Sequence, residues 1–196
     1  MKRIFKILTV ASVFAFYSCN ETRREQEQDS NEVAEEANEE RFDDNNKMEK
    51  DADFVANAVA SNLAEIQLAK LAIERSSNPE VKKVAQMLEA DHTKTLTELK
   101  ALASAKSITV PVEPEDEAMR DVKNLREEKA EDFDKKWLDE AEDMHEKSID
   151  KFEKRADKGE DAEIKAFASK TLPHLKMHKE KIEQCEENMK EQNKNS

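Results

Sequence analysis

Glu89, Ala90, Asp91 and His92 stand in the middle of an apolar helical stripe formed by Val81, Val84, Ala85, Leu88, Thr95, Leu96, Leu99 and Leu102. At about 100° per residue, His92 falls near the centre of that stripe with Glu89 and Asp91 on its shoulders, which turns an imidazole inward. Three other stretches of helical periodicity send polar groups into their own apolar faces: Glu65, His145, and His178 with His174 one turn earlier. Imidazoles and a carboxylate at one depth can do two things. They can ligate a metal, and the set Glu65, His92, His145 and His178 is nitrogen-rich, which suits zinc, copper or a single iron better than an oxygen-rich pair of irons. Alternatively, each histidine is neutral, hydrogen bonded to Glu65, Asp91 or a backbone carbonyl, and only fixes helix register. Unpaired polar groups in a core cost about 1 to 3 kcal/mol each, so such a layer must satisfy itself. Both readings stay open.

Glu89 with His92, and Glu142 with His145, have the Glu-x-x-His spacing of di-iron bundles, which puts both side chains on neighbouring ridges of one helix. The fit is incomplete, because the fourth helix offers His174 and His178 where a carboxylate or a further such pair belongs. Glu89, Glu142 and His174 are therefore secondary candidates. A single glycine excludes a phosphate-cradling loop or a dinucleotide fingerprint. No serine or cysteine stands in a nucleophile motif, so no catalytic residue is assigned and the expectation leans away from an enzyme.

The elements that must position these groups are all helical. Only 37% of residues are hydrophobic and 40% are charged, which suits helices that bury one stripe and solvate the rest. The first helix is expected over about 51–76, with Phe54, Val55, Val59, Ile66 and Ala69 inward. Asn78 and Pro79 cap and open the second, and the short turn makes the two antiparallel. That helix fades at Ile108-Thr109-Val110-Pro111, and about twenty residues with a charged peripheral helix over 115–128 follow. This length favours one long crossover over consecutive hairpins. The third helix spans about 132–157 and stops at Lys158-Gly159; the fourth runs from about 161 to 190, with Pro173 expected to kink it beside the histidines. The fold class is an all-α four-helix bundle with a long crossover, over residues 51–190, with a disordered tail over 191–196.

Residues 1–18 read as a secretory signal: Lys2, Arg3 and Lys6, then an apolar run from Ile7 to Tyr17 too short to span a bilayer comfortably. Ser18-Cys19 resembles the end of a bacterial lipobox, with Phe16 and Tyr17 departing from the usual residues; lipidated Cys19 would then hold the protein on a membrane through its acyl chains. The alternative is ordinary cleavage after Ala15. Residues 19–50 are acidic and poor in apolar side chains, so they read as a disordered leash that lifts the bundle off the membrane. Cys185, on the shoulder of the last stripe, reads as a small buried hydrophobe. A net charge of −13 argues against nucleic acid as a partner.

Phe54 through Glu65-Ile66-Gln67-Leu68-Ala69, Asn78-Pro79-Glu80-Val81, Asp91-His92, Phe133-Asp134 with His145 downstream, and Leu172-Pro173 followed by His178 resemble the bacterial envelope family called domain of unknown function 4142. The resemblance runs from about Asp51 to Glu187 and implies a ferritin-like fold. It carries Glu65, His92, His145 and His178 over as polar core positions and does not extend to His174. It implies no reaction. The expectation is a non-enzymatic lipoprotein of the bacterial cell envelope, seated in the outer membrane and acting as a structural or interaction module with an envelope protein partner. The alternative is metal binding or metal-dependent stress protection by the Glu/His layer.

Overall fold

Asparagine side chains start two of the long helices. Asn45 Oδ1 accepts from the Met48 N–H at 3.3 Å, and Asn78 Oδ1 accepts from the Glu80 N–H at 2.8 Å ahead of Pro79. The computed structural model describes residues 29–194 and forms six helices: α1 (Ser30–Phe42), α2 (Asn46–Arg75), α3 (Pro79–Lys106), α4 (Asp116–Glu127), α5 (Ala130–Lys158) and α6 (Ala162–Lys194). At the end of α3, Ser107 takes the left-handed conformation with φ 57°, and the Ile108 N–H returns to the Ala103 carbonyl at 2.9 Å. Gly159 ends α5 at a close approach, where an added Cβ would lie 2.7 Å from the Arg155 carbonyl oxygen.

Contacts at the two ends fix the topology. At one end Arg75 closes α2 onto the crossover by donating to the carbonyls of Leu125 and of Glu128, the latter at 2.6 Å, and its guanidinium lies over the Phe133 ring at the start of α5. At the other end buried Asp51 binds Arg155 and accepts from the Asp161 N–H at 2.7 Å, which ties the α5–α6 turn to α2. Lys106, at the foot of α3, meets Asp161 at 2.7 Å there. So α2 and α6 run one way, α3 and α5 the other. The crossover with α4 travels the length of the bundle, which is the connectivity of ferritin-like folds.

The apolar core falls into two clusters. One gathers Leu68, Leu71, Val81, Leu88, Phe133, Trp137, Leu138 and Ile182; the other gathers Phe54, Val55, Val59, Leu99, Phe152, Ile164 and Leu175. Between them lie Asn62, Glu65, His92, His145, Ser148 and His178, all buried.

Two expectations need correction. Residues 30–50 are not a leash: α1 is capped by Asp29, and α2 begins at Asn46. Counting apolar surface missed this because α1 is held largely by amides. Asn38 is fully buried, donating to the Thr109 carbonyl at 2.9 Å and accepting from the Thr109 N–H at 2.8 Å. The tail is helical to Lys194, and Pro173 lies within α6. Proline removes one backbone hydrogen bond, and neighbouring turns packed on α5 carry the helix through. The leader and Cys19 lie outside the described residues.

Candidate metal centre

His92 comes from α3, His145 from α5 and His178 from α6, each facing the layer between the two apolar clusters. Their ring centroids form a near-equilateral triangle with sides of 5.3, 5.4 and 5.1 Å. His145 Nε2 lies 3.3 Å from His92 Nε2 and 3.4 Å from His178 Nδ1. One nitrogen of each ring lies within 4.8 Å of the other two.

The opposite nitrogen of every ring faces an acceptor. His92 Nδ1 lies 2.7 Å from Glu65 Oε2 and 3.1 Å from Asn62 Oδ1. Asn62 is oriented by its own amide, which donates to the Ala58 carbonyl at 2.8 Å. His145 Nδ1 faces the Ala141 carbonyl at 2.7 Å, and His178 Nε2 faces Asp91 Oδ2 at 3.0 Å. These acceptors fix the tautomers: each ring carries its proton on the outer nitrogen and turns a lone pair inward. Three lone pairs therefore converge on one another.

Burial pushes the His145 imidazole below its usual range, and it pushes His178 down to about 4 despite the hydrogen bond to Asp91. Burial alone would raise Glu65, but the electrostatic attraction of His92 and the hydrogen bonds from His92 and Ser148 hold it down to about 2. The layer therefore contains a carboxylate that stays ionised. Protonating His92 would supply one inward N–H for two acceptors, and one lone pair would still lack a donor. A single cation answers all three at once. For metal–nitrogen bonds of about 2.0–2.1 Å, tetrahedral geometry separates the nitrogens by about 3.3 Å; the two edges at His145 have that length, while the His92 and His178 nitrogens, within 4.8 Å of each other, would have to draw together around an ion.

The sequence candidates sort accordingly. His92, His145 and His178 come together. Glu65 stands behind His92, with Oε1 accepting from Ser148 at 3.1 Å, and orients the imidazole from its outer nitrogen. Glu142 is paired with Lys179 at 3.2 Å, Glu89 is half-buried outside the group, and His174 is exposed at the edge of a neighbouring cavity. A di-iron carboxylate site does not fit this donor set, because neither Glu-x-x-His pair brings its glutamate to the convergence. Asn62 and Ser148 also belong to the layer. Asn62, three residues before Glu65 on the same helix, carried a readable but weak signal.

A ferritin-like helical bundle with a buried polar layer across its waist is the class that this fold defines. Residues 36–185 match the family model described as domain of unknown function DUF4142, and the chain belongs to that family. It is also similar to a crystal structure of a DUF305 fragment from Deinococcus radiodurans, with a TM-score of 0.63 at 16% identity, over 71% of this chain and 96% of that one. At that identity the likeness speaks for the fold alone. No curated protein matches the chain.

Proposed function

We propose that this bundle is a metal-binding module that holds one transition-metal ion on His92 Nε2, His145 Nε2 and His178 Nδ1. The observation that carries the reading is the convergence of three lone pairs whose tautomers are fixed from behind by Glu65, Ala141 and Asp91. Three imidazoles suit zinc, copper or iron, and three protein ligands leave a coordination position for an exogenous group. Such an ion would supply Lewis-acid or redox chemistry, while the chain's own residues orient the rings and exclude bulk water.

Elemental analysis of protein purified without chelator, beside His145→Ala, tests this reading. The expected result is about one ion per chain, lost in the variant. A folded wild type that neither carries nor takes up metal overturns it and leaves a structural polar layer. The broader expectation of a structural or interaction module is compatible with this fold, and two of the large exposed hydrophobics among the described residues, Val112 and Met119, lie on the crossover segment after Pro111, where a partner contact is expected.

Envelope location belongs to the same proposal and rests on the leader and Cys19. No helix among the described residues is long and apolar enough to cross a membrane. Membrane fractionation of the full chain beside Cys19→Ser tests the anchor: release of the variant supports lipidation, and unchanged partitioning overturns it.

A further inference from the structure

We propose that the ion's open coordination position takes a small anion of two or three heavy atoms, delivered through a cavity between α3 and α6. The inference rests on the metal reading above. The cavity has a volume of about 60 Å³ and is lined by Asp91, His92, Lys94, Thr95, Thr171 and His178, among others. His92 and His178 thus border both the convergence point and the cavity. His145 closes the other side, since its Nε2 makes the two short contacts to its neighbours. The His92–His178 edge of the triangle joins the two histidines that line the cavity.

Size and charge define what can enter. A space of about 60 Å³ holds a small cluster of waters or a compact polyatomic ion and excludes an organic substrate. The two acids of the lining, Asp91 and Glu98, are balanced in charge by Lys94 and Lys170; Asp91 also accepts from His178 at 3.0 Å, and Glu98 pairs with Lys170 at 2.8 Å. A bound divalent ion would add the largest positive charge of all. A larger cavity of about 210 Å³ lies beneath α4, but it reaches Glu65 and Ser148, the groups behind His92, and Glu115, Glu117, Asp121 and Glu140 in its lining outweigh Lys147 and Lys151. Its charge repels anions, and it does not border the converging nitrogens.

Azide titrated into the cobalt-loaded full chain, followed by the visible absorption of the metal, tests this route. The expected result is a saturable spectral change. Thr95→Phe, which fills the α3–α6 cavity, should weaken azide by about tenfold or more with cobalt stoichiometry unchanged. Lys94→Glu, on the exposed surface, should weaken it several-fold without risk to folding. Ala118→Phe, which fills the cavity beneath α4, should leave azide affinity as it was. A cobalt spectrum insensitive to azide, or azide affinity unchanged in both Thr95→Phe and Lys94→Glu, overturns the proposal while leaving the metal site standing. Failure to take up cobalt, zinc or copper overturns the metal reading and this inference with it.

Discussion

Glu65 Oε2 receives the Nδ1 proton of His92 at 2.7 Å, and this contact aims His92 Nε2 at His145 Nε2. The carboxylate acts from behind the ring. Glu65→Gln keeps the shape but weakens the acceptor and removes the buried charge. Metal affinity should fall about 10- to 100-fold with the fold retained, a smaller loss than that from His145→Ala. Competition against a chromogenic chelator measures it; an unchanged affinity would place Glu65 outside the function of the layer.

Asn38 carries the docking of α1, through both amide atoms, onto the backbone of Thr109. Asn38→Ala leaves that N–H and carbonyl without partners and should cost about 1 to 3 kcal/mol of local stability. Limited proteolysis should then cut faster near Phe42–Asn45 and in the segment after Ser107. Equal cleavage rates would mean that α1 is held by its other contacts.

Asp161 gives the fold one of its acid-sensitive points. Burial raises its carboxyl, but Lys106 and the N–H groups of Ile164 and Glu163 outweigh this and hold it below the ordinary 3.8. A folded value below the unfolded one means that the contribution is complete above about pH 4 and is lost as pH falls through the depressed value. Asp161→Asn should therefore flatten the acid limb of a stability-versus-pH curve. Denaturant melts at several pH values read this directly, and a parallel shift of the whole curve would contradict it.

Cys185 is buried, and burial, with Glu80 and Asp134 nearby, pushes its thiol up to about 11. At pH 8 the thiolate is scarce and shielded, so a disulfide reagent should label the folded chain slowly and the urea-unfolded chain at once. Rapid labelling of the native protein would show that the top of α6 opens readily.

His92 was readable because it breaks an apolar stripe, and a break at the centre of a helical face can point only inward. His145 and His178 were legible by the same rule. The role of Glu65 was not, since periodicity gives depth but not which atom a carboxylate meets; only the orientation of the His92 ring decides that. Asp91, on a shoulder of the α3 stripe, is paired across 87 residues with His178. Asn62 carried only the weak signal of its spacing from Glu65, and its role is fixed by its partners Ala58 and His92. Helix α1 escaped for a related reason: Asn38 pairs with a loop 71 residues away, and composition holds no information about such a contact.

The core is assembled from two hairpins, α2 with α3 and α5 with α6, whose strongest contacts are local. His92 belongs to the first hairpin, and His145 and His178 to the second. An ion bound by all three would complete its shell only after the long crossover has brought the hairpins together. Contacts of that kind form late, because loop closure must precede them. In refolding, helicity would then report the hairpins and the colour of bound cobalt would report their docking, so the layer would serve as a clock for the last step of assembly.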